Sequence, residues 1–265
     1  MKKIIILFSI GCSFISLTSF AVALDYPCNK SVALFLTDRG SITDTPCVVP
    51  ENRMLVEGGY GNQFLITGDT LQSYPQAEVA LGLPAHSEVF ISLPSYNRQN
   101  SIPLAAGSGP TTLGVKHEVL FGHSWTFSAQ GLLVLPSGSA NFGAPDVGGA
   151  LNGMFGIDLT SSVSLAGMFG MSSTTEAIYV SGQRFNSLNL SIAPTFAPTE
   201  TVTLFVELFG QTKTAVDLGG GLNGDFGFLY AYSQSLVFDA EVGQRFSGKL
   251  GGYNHYMGIG LTGLF

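Results

Sequence analysis

The chain has 265 residues, of which 45% are hydrophobic and only 11% charged, with a net charge of −7. Soluble domains carry roughly 25% charged residues, and the negative balance excludes nucleic acid as a partner, because phosphates are held by lysine and arginine. After the N-terminus no apolar run approaches the ~18–20 residues of a transmembrane helix. The apolar residues are instead interleaved with small and polar ones, and 34 residues are glycine. That is the composition of a lipid-facing β-barrel.

At the N-terminus, Lys2 and Lys3 precede the apolar stretch Ile4 to Phe8, and Ala21-Val22-Ala23 offers a cleavage site. Residues 1–23 read as a signal peptide. Cys12 makes a poor lipidation site, because Ser9 stands where leucine is usual and the apolar run before it is short. Cleavage removes two lysines and deepens the net charge to −9. Cys28 and Cys47 remain, and the oxidising periplasm predicts a disulfide between them. Such a bond closes a loop and contributes up to ~3 kcal/mol. Residues 24–52 read as an N-terminal extension at the periplasmic mouth, with a short apolar segment from Ser31 to Leu36. A plug inside the barrel and a solvated tail pinned by the disulfide both fit it.

From Arg53 a period-2 pattern begins, and it defines a barrel over 53–265. Met54, Val56, Gly58 and Tyr60 share the outer face of the first strand, with Leu55, Glu57 and Gly59 inside. Gln76 to Leu83 sets Val79 and Leu81 against Glu78 and Ala80. The next strand sets Val89 and Ile91 against Glu88 and Phe90. Thr111 to Leu120 points Lys116 and Glu118 inward, and the fifth strand points Ser128 and Gln130 inward. Strands follow at Gly149–Leu159, Val163–Met171 and Ser187–Phe196. The ninth turns Phe205 and Glu207 inward. The tenth, begun near Asp217 and Leu218, turns Asn223 and Asp225 inward, and the eleventh Asp239, Glu241 and Arg245. The twelfth runs from Tyr253 to Phe265. The fold class is therefore all-β, a transmembrane antiparallel up-and-down barrel of about twelve strands, an even number as bacterial barrels have. Alternate links read as short turns. The others, such as Tyr96 to Pro110, read as longer outer loops, with both termini periplasmic.

The charges fall on the face that must be interior. Glu57, Glu78, Glu88, Glu118, Glu207, Asp217, Asp225, Asp239 and Glu241 all share it. A soluble β-sandwich would carry them outside, whereas lipid excludes them and a wet lumen accepts them. The lumen-facing candidates are Glu57, Lys116, Glu118, Glu207, Asp239, Glu241 and Arg245. Lys116 and Arg245 are expected to anchor the network by pairing with Glu118, Glu207, Asp239 or Glu241. One carboxylate per strand does not make a metal cage, so no metal is expected. Tyr60, Trp125, Phe155, Phe169, Phe226, Phe228, Tyr230 and Phe246 read as interfacial girdles. Phe90, Phe205 and Phe209 point inward. Phe265, ending an alternating strand, resembles the C-terminal signal read by the barrel assembly machinery.

The segment Gly109 to Gly138 joins a Gly-x-Lys strand to a second strand ending in Leu-Pro-x-Gly. With Val56-Glu57-Gly58-Gly59-Tyr60, Val206-Glu207 and Asp239, it resembles an outer-membrane family assigned to transport in the meta-pathway of phenol degradation. The resemblance covers about Met54 to Phe265, with His117 standing where tyrosine is expected. It implies a small-molecule transporter.

Catalysis finds little support. A lipase-like barrel needs a serine–histidine pair with an orienting acid or amide near the outer leaflet. His86 and His123 fall in periplasmic turns, and His255 with Asn254 has no local signature. No GxxxxGK[ST] motif is present, and no cofactor is expected. The expected function is a passive channel or uptake port for small molecules, aromatic or apolar ones included. The alternative is a closed structural or surface-interaction barrel. The expected partners are outer-membrane lipid and lipopolysaccharide, the barrel assembly machinery and an unidentified solute.

Overall fold

A computed structural model describes Cys28 and residues 32–265. The expected signal peptide lies outside the described residues. A four-residue helix, α1 (Ala33–Leu36), precedes fifteen strands. These are β1 (Met54–Leu65), β2 (Thr70–Tyr74), β3 (Glu78–Leu83), β4 (Ser87–Ser92), β5 (Tyr96–Gln99), β6 (Ala105–Ser108), β7 (Thr112–Phe121) and β8 (Trp125–Val134). Then come β9 (Gly148–Asp158), β10 (Val163–Thr175), β11 (Arg184–Thr199), β12 (Val202–Gln211), β13 (Gly221–Ser233), β14 (Leu236–Ser247) and β15 (Tyr253–Leu264). β15 pairs back onto β1, with Leu55 opposite Leu264 and Tyr60 opposite Ile259. The sheet is thus closed, which satisfies the backbone groups that lipid cannot.

Three pairs of these strands are halves of one wall strand. β2 and β3, β4 and β5, and β6 and β7 are separated only by residues 75–77, 93–95 and 109–111. Each gap holds a proline: Pro75, Pro94 and Pro110. The register Glu78↔Ser92 continues as Tyr74↔Tyr96, and Ser92↔Thr112 continues as Tyr96↔Ser108. Leu93 N still donates to Ala77 O at 2.8 Å, and Gly109 N to Ser95 O at 2.8 Å. Proline cannot donate to the ladder, so the strands bend there without losing their neighbours. The wall therefore has twelve strands. On the β1 side a bulge at Gln76 (φ 47) takes up one residue.

This corrects the sequence reading of Tyr96 to Pro110 as an outer loop. β5 and β6 continue the wall, and only residues 100–104 turn. The composition is turn-like, but neighbouring strands supply the ladder. A second correction concerns Asp217. β13 begins at Gly221, and Asp217 lies exposed in the preceding link rather than in the lumen.

Links 84–86, 122–124, 159–162, 200–201 and 234–235 sit at the end where β1 starts and β15 finishes, here called the turn end. The remaining links lie at the opposite, loop end. Outward residues are bare, with Leu190 67% and Ile259 59% exposed, while inward Lys116 and Glu207 are 1% exposed. Among the aromatic residues, Trp125, Tyr230 and Phe246 face out. Phe169, Phe226 and Phe228 also face out, but at mid-strand rather than in a girdle. Phe90, Phe205 and Phe209 are buried inside. At the turn end α1 forms a small apolar cap, with Ala33, Leu34 and Leu36 packed among Val49, Leu55, Ala80, Phe90, Val237 and Leu264.

Candidate functional site

The segment 37–50 enters the lumen, turns and comes back, so it is a plug rather than a solvated tail. Cys28 and Cys47 are bonded and close its base. Every stretch of the plug is held by a side chain that the period-2 pattern sends inward. Glu57 accepts from Thr37 Oγ1 at 2.8 Å and Asp38 N at 3.1 Å, and Thr262 donates to the same oxygen. Glu207 accepts from Ile42 N and Thr43 N, both at 2.7 Å, and from the Thr43 hydroxyl. Ser128 donates to Pro46 O, and Gln130 Nε2 donates to Asp44 Oδ2 at 2.7 Å. Val48 N donates to Glu118 at 3.1 Å and Val49 N to Glu88 at 2.6 Å. Carboxylates on backbone N–H groups form charge-assisted bonds, roughly twice as strong as neutral ones.

Two cations complete the clamp. Lys116 Nζ lies 2.9 Å from Asp38 and 3.1 Å from Glu88, with Thr45 O accepting at 3.3 Å. Arg39 reaches Asp239 at 3.4 Å, Ile259 O at 3.3 Å and Gln76 at 3.5 Å. A Cβ at Gly59 or Gly260 would overlap the Arg39 guanidinium, so these two glycines make its berth. Burial, then the neighbouring Asp38, push the Asp44 carboxyl up to about 8, against the pull of Lys116 and of its Gln130 hydrogen bond.

Of the seven candidates, Glu57, Lys116, Glu118, Glu207 and Asp239 therefore touch the plug. Glu241 lines the space beside it and lies 3.4 Å from the Tyr256 hydroxyl. Arg245 anchors nothing in this network. It donates to Gly248 O at 3.1 Å and Asn254 Oδ1 at 2.9 Å, bracing the link before β15 at the loop end. Lys116 takes none of its four expected partners, because Asp38 of the plug and Glu88 of the neighbouring strand stand closer. The plug residues Asp38, Arg39, Thr43 and Asp44 were not singled out from the sequence. Their signal was the polar run Thr37 to Thr45 between the two cysteines, beside a lumen with many more acids than bases.

The described residues border several cavities. A cavity of about 470 Å³ rests on the plug, lined by Asp38, Arg39, Asp44, Glu57, Glu78 and Glu241 with Phe90, Leu93 and Leu132. Leu132 also borders a cleft of about 650 Å³ along β9 to β11. Gly148 is common to that cleft and to a pocket of about 370 Å³ under the links at the loop end. Ser87 Oγ and His117 Nδ1 lie 2.8 Å apart at the turn end, and among the described residues no carboxylate hydrogen-bonds His117. The triad logic of a hydrolase is incomplete there.

A family model described as "Putative MetA-pathway of phenol degradation" matches residues 37–259. No curated protein sequence matches the chain. An outer membrane channel from Pseudomonas putida F1 is similar in structure, with a TM-score of 0.65 at 11% identity over 82% of this chain and 97% of that one. The KdgM porin gives 0.56 at 10% identity, covering 80% and 99%. The NanC porin gives 0.53 at 14% identity, covering 79% and 98%. At these identities the likeness establishes an outer-membrane barrel fold.

Proposed function

The chain belongs to the family of that model, and from this membership and the cavity that rests on the plug we propose that it is a passive outer-membrane channel for small molecules, held shut by its own N-terminal plug. The observation that carries the reading is the acid-lined cavity of about 470 Å³ left above the seated plug. The family description names phenol degradation, which supports small aromatic or apolar solutes. The carboxylates around the inner cavity favour neutral or cationic solutes over anions. The turn end and both termini lie in the periplasm, the loop end faces out, and lipopolysaccharide is the lipid beside it. Phe265 is the residue offered to the barrel assembly machinery, and no catalytic step is assigned.

Single-channel recording in planar bilayers tests the channel. The mature protein is expected to open rarely, and a variant lacking residues 37–46 to give larger, steady, cation-preferring openings. The dense clamping of the plug favours one second reading, a permanently closed barrel. A variant that stays silent without its plug would establish that reading instead.

A further inference from the structure

We propose that the cavity resting on the plug is a binding site for a primary amine, whose ammonium group bridges Glu57 and Glu78 while a short apolar body lies against Phe90, Leu93 and Leu132. The proposal deepens the channel reading by naming a solute class. It rests on that reading for the solute's passage, although binding does not require conduction. Glu57 on β1 and Glu78 on β3 stand directly opposite each other in the register, and the period-2 pattern sends both inward. Like charges so placed destabilise a sheet. Glu57 is 4% exposed, and its Oε1 takes all its donors, Thr37 Oγ1, Asp38 N and Thr262 Oγ1. Its Oε2 accepts from none of the described residues, yet it is not sealed inside protein, and the side chain lines the cavity. Glu78 lines the same space, with Ser92 Oγ donating to its Oε2 at 2.6 Å and its Oε1 left without a donor among the described residues. Two acceptors on facing strands thus meet one cavity.

The chain's own cations are engaged elsewhere. Of the carboxylates that line the cavity, Asp38 pairs with Lys116, whereas Asp44, Glu57, Glu78 and Glu241 are in no ion pair among the described residues. Arg39 lines the space as well, but its ion pair is with Asp239. Spacing then selects the kind of cation. Among the described residues, one group of three acidic, histidine or cysteine side chains brings its ligand atoms within 4.8 Å of one another, and it lies at the disulfide. A bare metal ion needs such a convergence of oxygens, and the cavity does not supply it. Its volume of about 470 Å³ suits a small organic ligand. An ammonium carries three N–H donors, enough to reach both free oxygens through charge-assisted bonds. Phe90 stands diagonally across from Glu78, two residues along β4 from its partner Ser92. With Leu93 and Leu132 it gives the carbon body an apolar surface. A neutral solute leaves the repulsion between the two carboxylates in place, and an anion adds to it.

Phenethylamine, its N-trimethyl derivative, 2-phenylethanol and phenylacetate share a ring and differ at the polar end. Each is equilibrated with the refolded mature protein by dialysis against protein-free micelles at neutral pH. Phenethylamine is expected to bind at least about tenfold more tightly than 2-phenylethanol or phenylacetate. It should also bind at least about fivefold more tightly than the trimethyl derivative, which keeps the charge but has no N–H to donate. Glu78→Gln, checked for folding by heat-modifiable migration, should weaken phenethylamine by roughly tenfold. Asp217→Asn, which removes the same charge from an exposed link, should leave it unchanged. Equal binding of the amine and the alcohol, or of the amine and its trimethyl derivative, would overturn the proposal, and neither comparison needs a variant. So would phenethylamine binding that Glu78→Gln does not weaken, or a calcium ion that binds stoichiometrically and excludes the amine. Conduction that depends on the plug, without amine binding, sinks this site and leaves the channel standing. Amine binding in a barrel that stays silent without its plug sinks the channel and leaves the site.

Discussion

Lys116 shows how one residue can be placed by sequence and partnered only by the fold. The alternation Gly114, Lys116, Glu118 sends it inward, and it is there, 1% exposed. Its partners come from the plug and from β4. Lys116→Met leaves Asp38 and Glu88 facing each other without a cation. Unfolding in detergent should show a loss on the order of 3 kcal/mol, and Lys116→Arg should lose less. Asp44 makes a second test. Its carboxyl, ordinarily near 3.8, sits at about 8 in the seated plug, so the seated state favours the neutral form. That contribution is full below about pH 4 and lost as pH rises through about 8. Opening frequency should therefore rise between about pH 4 and pH 8 and level off above that, and Asp44→Asn should flatten the rise.

At the scale of elements, strands with one face to lipid declared themselves. Val115 is 56% exposed on the outer face of β7. Val115→Lys should cost roughly 2–4 kcal/mol at mid-bilayer, read as a fall in the denaturant midpoint of barrel unfolding. A cost-free Val115→Lys would put the lipid face of β7 elsewhere. The bent strands were harder. Pro75, Pro94 and Pro110 are local signals for turns, and residues 96–108 carry a loop's composition. Yet the register runs through the breaks, because the ladder is fixed by neighbours far away in sequence. Asp217 was misread for a related reason. One acid before a strand looks like its first inward residue, and only the pairing Gln211↔Gly221 sets where β13 begins.

For the whole molecule, the short links gather at one end and the longer ones at the other. Val180 is 69% exposed in the link 176–183, and Ser161 is exposed in a turn at the opposite end. A membrane-impermeant thiol reagent on intact cells should label Val180→Cys and spare Ser161→Cys. The reverse pattern would invert the barrel, and labelling of both would mean that it does not span.

The sequence alone determined the barrel, its inside and outside, and a count of about twelve strands, because a lipid solvent imposes one rule on every strand. Apolar residues must alternate outward, and acids such as Glu57, Glu207 and Asp239 must turn in. It also singled out the two cysteines that close the plug. Only the tertiary structure decided what fills the lumen. The run Thr37 to Thr45 has no period, and its bonds to Glu57, Lys116 and Glu207 span large sequence separations. Two carboxylates on one inner wall look alike in sequence. Which one meets a backbone N–H, as Glu207 does, and which lines open space, as Glu241 does, depends on where the returning chain lies.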